Sequence, residues 1–158
     1  TTYDEDLCRK IEPNVSTTAE RFEVLKTLRD VGIPTVVWLS PILPFVNDNE
    51  ENLVGILNMC IEAKVRGIIC FGMGVTLREG NREYFYEQLD RSFPGVKEKY
   101  IHTYGYQYML DSPHNGYLMQ IFHDTCEKHG IMHDNEQIFA YLSAFEDKED
   151  FQQLSLWD

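Results

Sequence analysis

The sequence predicts an α/β chain: a partial (β/α) barrel of about three parallel strands over residues 1–80, then a helical C-terminal extension over 81–158. Three observations carry this reading. Two short apolar runs, Thr35 to Leu39 and Gly67 to Phe71, are rich in β-branched and aromatic residues and have the length of strands buried on both faces. Each run is preceded by a helical pattern, so strands and helices alternate. The alternation stops after Gly72-Met73-Gly74, and only helical patterns follow. Three parallel strands alone leave two open edges, which favours part of a barrel over a complete sheet.

In chain order, Thr1 to Asp4 reads as the end of a strand whose beginning is missing, and Glu5 to Lys10 as a short helical turn. Glu12-Pro13-Asn14 is a loop, because the residue before proline is pushed out of the α region. Thr17 with Glu20 matches a capping box, and Ala19, Phe22, Leu25, Leu28 and Val31 recur at helical spacing until Gly32. The loop Ser40 to Asn49 holds two prolines and an Asn-Asp-Asn cluster. Asp48 or Asn49 caps the next helix, with Glu50 and Glu51 in its positive first turn. Leu53, Ile56, Leu57, Cys60, Ile61 and Lys64 form its stripe. Helices are then expected over Asn81 to Phe93, Val96 to Tyr104, Asn115 to His129 and Glu136 to Phe145, with Tyr106 to Pro113 irregular. The tail from Asp147 begins acidic and ends Leu154-Ser155-Leu156-Trp157, apolar enough to dock on the body.

Composition bounds the function. The 158 residues suffice for one domain with a real core. No apolar run approaches the ~20 residues of a membrane span, and no secretory or transit signal opens the chain. The chain starts Thr1-Thr2-Tyr3 without Met, which reads as a processed or excised piece. Net charge is −12, from 26 acidic and 14 basic side chains, which disfavours broad, sequence-independent nucleic-acid binding while leaving room for a local basic site. Cys8, Cys60, Cys70 and Cys126 are scattered and read as buried, reduced thiols of a cytoplasmic protein.

Working residues in such architectures lie where strands end. Tyr3, Asp4, Ser40, Met73 and Gly74 would share that face, with the loop Ser40 to Asp48 beside them. Arg78 suits a carboxylate or phosphate, or equally an ion pair with one of the many acidic residues. His123, Cys126 and His129 follow at three-residue steps on one helix and His133 lies just beyond. Cys126 belongs to the apolar stripe and His129 to the helix end, so no metal ligand set is assigned. The many tyrosines read as packing residues with a polar tip rather than as base-stacking platforms.

Several segments in collinear order have a further likeness. Thr1-Thr2-Tyr3-Asp4, Ile11-Glu12-Pro13-Asn14-Val15, Glu20-Arg21-Phe22, Gly32-Ile33, Pro41-Ile42-Leu43-Pro44-Phe45-Val46-Asn47-Asp48, Phe71-Gly72, Thr76-Leu77-Arg78, Phe93-Pro94-Gly95 and Gln153-Leu154-Ser155-Leu156 span nearly the whole chain. Together they resemble the second half of radical S-adenosylmethionine proteins of the spore photoproduct lyase-like family, often labelled DNA repair photolyases.

The resemblance implies a six-stranded partial (β/α) barrel of which this chain supplies roughly strands four to six. It implies S-adenosylmethionine and a 4Fe-4S cluster in the full-length protein, where a CxxxCxxC motif after the first strand holds the cluster. That motif is absent here, so the fragment alone is expected to be inactive and to hold neither group stably. Carried onto this sequence, Thr2 and Thr1 match the strand end that bonds the methionine moiety, and Ser40 ends the next strand. Phe71, Gly72, Met73 and Gly74 match the region near the adenine. Arg78 remains a weak substrate-binding candidate. The expected partners are an N-terminal half of the same polypeptide and a second copy, through exposed strand edges; no membrane is expected. The competing readings are another (β/α)-barrel lyase or phosphate-handling enzyme using Arg78, and a non-catalytic acidic interaction module.

Overall fold

Side-chain caps decide where many of the helices begin. In the computed structural model, which describes residues 1–144, the chain is α/β, with seven helices and four short strands among those residues. Helix α1 (Glu5–Ile11) opens on Asp4, whose carboxylate accepts from Leu7 N–H. Helix α2 (Thr18–Asp30) opens on Thr17, and both halves of the expected capping box form with Glu20. Strand β1 is Val36–Trp38. Helix α3 (Glu50–Glu62) is capped by Asn49, with Glu50 and Glu51 in its first turn. Strands β2 (Gly67–Ile69) and β3 (Gly74–Thr76) follow. Helices α4 (Asn81–Ser92) and α5 (Val96–Tyr104) each start after a left-handed glycine, Gly80 and Gly95. Strand β4 (Met109–Asp111) precedes α6 (Asn115–His129) and α7 (Asn135–Ser143), the latter capped by Asp134.

The strands form two separate pairs. β1 and β2 are parallel, with Val36 opposite Gly67 and Trp38 opposite Ile69. β3 and β4 are antiparallel, with Val75 opposite Leu110. No barrel closes among the described residues. The three parallel strands expected from the sequence are therefore two. Thr1 to Asp4 is not a strand: no strand among the described residues pairs with it, side chains anchor its backbone, and Asp4 serves as a helix cap. Tyr106 to Pro113, expected to be irregular, contains β4. β1 is also not buried on both faces, since Trp38 is 55% exposed; β2 is buried throughout. The expected docking of the tail from Asp147, and Phe145 at the end of α7, lie outside the described residues.

Two apolar clusters hold these elements. The larger packs α3 and α6 on the parallel pair, through Leu53, Ile56, Leu57, Ile68, Leu118 and Phe122. The smaller gathers Leu77, Leu89, Tyr100, Tyr104 and Leu110, with Phe45 and Val46 of the proline-rich loop against it. Burial of such side chains contributes about 1.5–3 kcal/mol each. The strands are too short to stand alone; helices cover them, which is how such small sheets persist.

One side chain extends the ladder. Asn135 Nδ2 donates to Cys70 O at 2.9 Å, and Cys70 N–H donates to Asn135 Oδ1 at 3.3 Å. An amide thus imitates a strand neighbour just past β2 and ties α7 to the sheet.

Candidate functional site

The carboxyl ends of β1 and β2 lead into one open cleft of 330 Å³. Ser40 and Pro41 after β1, and Phe71, Gly72 and Gly74 after β2, line it with Val75, Thr76, Met109 and Asp111. Four sequence-predicted residues, Ser40, Phe71, Gly72 and Gly74, therefore meet on one face. Phe71 is 65% exposed, and its ring lies 5.9 Å from that of Trp38 and 6.3 Å from that of Phe139. Phe71 alone of the three lines the cleft; Trp38 and Phe139 pack against its ring.

The two glycines differ. A Cβ on Gly72 would meet only Asn115 Oδ1, at 3.5 Å, but Gly72 holds φ +132°, a conformation L side chains rarely adopt. A Cβ on Gly74 would fall 2.6 Å from Leu110 O and 3.0 Å from Asp111 Cα. Gly74 is thus explained by the close approach of β4, rather than by room for a ligand.

Other expected site residues stand apart from the cleft. Met73 is fully buried in the larger core; its N–H donates to Asn115 Oδ1 at 2.7 Å and its carbonyl accepts from Ser112 N–H at 2.7 Å. Thr2 is 3% exposed, and its hydroxyl oxygen accepts from Asn47 Nδ2 at 3.0 Å. Thr1 adjoins the loop after β1: its backbone nitrogen donates to Pro41 O at 2.8 Å and its hydroxyl to Ser40 O at 3.4 Å. Arg78 does not line the cleft; its carbonyl accepts from Asn81 and Arg82 N–H at the start of α4. Its guanidinium has no ion pair among the described residues. Tyr3 packs on Gly55 and donates its N–H to Asn52 Oδ1 at 2.6 Å.

Residues that the sequence did not single out for these roles organise the surroundings. Asn47 is 1% exposed and bonds Leu43 N–H, Thr1 O and Thr2 Oγ1. Buried Asp48 accepts from Ser112 Oγ at 2.5 Å. The sequence marks Asp48 as a candidate helix cap and both residues as part of the strand-end loop; Asn49 caps the helix instead. Arg82, one turn beyond Arg78, donates to the carbonyls of Leu77, Gly105, Tyr106 and Gln107 and thereby joins α4 to the approach to β4.

Burial sets the titration of the interior. It pushes the Tyr104 phenol up to about 12, helped by the carboxylates of Asp48 and Asp111. It raises Tyr100 further, with Tyr104 as the next cause. It also pushes the thiols of Cys60 and Cys126 up to about 12, and raises Cys70.

These thiols do not fit an iron–sulfur cluster. Cluster ligands are thiolates gathered around the metal. The four cysteines here are buried, Cys60, Cys70 and Cys126 within one apolar core, and no group of three or more His, Cys, Asp or Glu stands within metal-binding reach among the described residues. The cleft itself offers an exposed aromatic face, Phe71, and a carboxylate, Asp111. It therefore suits a ligand with a planar ring and a cationic group.

Compared with protein-family models, curated proteins and solved structures, the chain matches none.

Proposed function

We propose that this chain is the C-terminal portion of a radical S-adenosylmethionine, iron–sulfur enzyme of the spore photoproduct lyase-like kind. Residues 1–80 are its half of a partial (β/α)₆ barrel, and the part of the chain after residue 80 is an extension that is mostly helical among the described residues and adds β4 beside β3. The collinear resemblance motivates the reading. The observation that supports it best is the meeting of Ser40, Phe71, Gly72 and Gly74 in one cleft at the carboxyl ends of two parallel strands. Open α/β sheets and (β/α) barrels place ligands at that end.

In this reading the chain's residues bind and orient. Phe71 offers its ring face to the adenine, Gly72 lets the backbone turn beside it, and Asp111 faces a cationic group. S-adenosylmethionine, with the cluster, supplies the radical chemistry when bound. Thr2 acts through Asn47 as a positioning residue, since its hydroxyl is held away from the cleft. The cluster ligands come from an N-terminal half of the same polypeptide, as the chain's own thiols do not fit.

The residues encoded upstream of Thr1 test this. A motif of three closely spaced cysteines after a predicted strand is expected. An upstream sequence without one overturns the reading and leaves a barrel lyase or phosphate-handling enzyme, or an acidic interaction module.

A further inference from the structure

A second feature lies away from the cleft, beside the amino-terminal end of β2, where Met132 pairs with Gly67. Here His123, from α6, and His133, from the segment leading into α7, bring their imidazoles together. The ring centroids are 5.2 Å apart, with an interplanar angle of 58°. Both side chains are half-buried.

The pair is held from several sides. Phe122, fully buried, packs edge-on against both rings, at 5.2 Å from His123 and 6.0 Å from His133. The backbone around His133 is fixed by bonds from Ile131 N–H to Cys126 O, Met132 N–H to Arg66 O, and Ile68 N–H to Met132 O. The His133 Nδ1 lies 3.1 Å from Ile131 O. A carbonyl only accepts, so Nδ1 carries the hydrogen, and in the neutral ring the Nε2 lone pair is left for a ligand. Backbone support of one ring nitrogen is the usual way a metal-binding imidazole is oriented.

The spacing suits a shared metal. With metal–nitrogen bonds of about 2.0–2.1 Å, two imidazoles at a tetrahedral angle have ring centres about 5 Å apart. We propose that His123 and His133 form a two-imidazole site for a borderline divalent cation, zinc above all, with water completing the coordination. Cys126 is not a ligand: it is buried in the core. His129 is exposed at the end of α6. Glu127 and Asp134 line the neighbouring cleft with His133, but among the described residues no third side chain completes a set, so the site is open and of moderate affinity. Zinc there clips α6 to the strand-like segment at Met132 and stabilises the fold by binding the native state alone. The proposal is independent of the radical-enzyme reading.

The test is a titration of the 158-residue chain with zinc chloride, read by calorimetry and by the ring C–H resonances of its five histidines. His123 and His133 signals are expected to move together at one equivalent, while those of His102, His114 and His129 stay. His123→Gln or His133→Gln should each weaken binding about tenfold or more, and Glu127→Gln should leave it unchanged. Thermal unfolding should shift upward with zinc in the parent chain and not in the double variant. Absence of binding at millimolar zinc overturns the site. So does binding that persists in the double variant, or that moves only the other three histidines; the resonance measurement needs no variant to fold.

Discussion

Asn47 donates its side-chain amide to the hydroxyl oxygen of Thr2 at 3.0 Å, deep in the structure and across 45 positions of sequence. The same amide nitrogen reaches Thr1 O at 3.0 Å, and its oxygen accepts from Leu43 N–H at 2.6 Å. One side chain therefore ties the start of the chain to the loop after β1. Removing it leaves buried polar groups unpaired, each at about 1–3 kcal/mol. Asn47→Ala should lower unfolding stability by about 2–4 kcal/mol in urea titrations. Thr2→Val, which keeps the shape but loses the acceptor, should cost less. Equal stability of Asn47→Ala and the parent would remove the tie from the account.

The two sides of the cleft should respond differently to small substitutions. Gly74→Ala forces a Cβ against the β4 backbone and should destabilise by about 1–3 kcal/mol. Ser40→Ala, at an exposed position, should stay within about 0.5 kcal/mol. Comparison of urea midpoints at unchanged slope checks both, and a neutral Gly74→Ala would mean that β3 and β4 are not so closely paired.

Stability should fall at alkaline pH. Burial raises the Cys60 and Cys126 thiols from 9.0 to about 12, and Tyr104 from 10.0 to about 12. The native state thus holds these protons more tightly than the unfolded chain. Their contribution is whole below about pH 9 and is lost as pH rises toward 12. Each group adds at most about 1.4 kcal/mol per pH unit to the slope. Urea unfolding at stepped pH should show the decline beginning near 9, together with slow thiol labelling of the native chain at pH 8. Rapid labelling of Cys60 or Cys126 without unfolding would contradict their placement.

The outer edge of β1 motivates self-association. Arg66 N–H donates to Thr35 O and Leu39 N–H to Ile69 O, so odd-numbered residues bond toward β2. The backbone of Val36 and Trp38 then faces the other edge, where no strand pairs among the described residues. Two chains of net charge −12 repel, and salt screens that repulsion over roughly 10 Å at 0.1 M. Sedimentation equilibrium should show a dimer that strengthens with salt and weakens in Trp38→Lys. A strictly monomeric chain at high concentration and salt would reject it.

Much of the helical framework was legible because its signals are local. Thr17 with Glu20, Asn49 before two glutamates, and Gly130 after His129 are start and stop signals that tertiary contacts did not override. β3 and β4 were not legible: each is three residues long, and their pairing joins positions 33 or more apart without alternation. Trp38 looked like core by residue type, yet its place at an unpaired edge leaves it exposed. The strand-end rule named Ser40, Met73 and Gly74, and the resemblance added Phe71, Gly72 and Thr2, but neither could tell that Met73 turns inward or that Thr2 faces Asn47. Those facts depend on which side of an irregular backbone each side chain takes.

The most direct test of the radical-enzyme reading is anaerobic reconstitution of the full-length polypeptide with iron and sulfide, followed by addition of S-adenosylmethionine and a reductant. The account predicts a brown protein with a four-iron, four-sulfur complement that cleaves S-adenosylmethionine to 5′-deoxyadenosine and methionine. It also predicts that Phe71→Ala weakens cofactor binding while leaving the iron content unchanged. A colourless, iron-free polypeptide that never cleaves S-adenosylmethionine would contradict it.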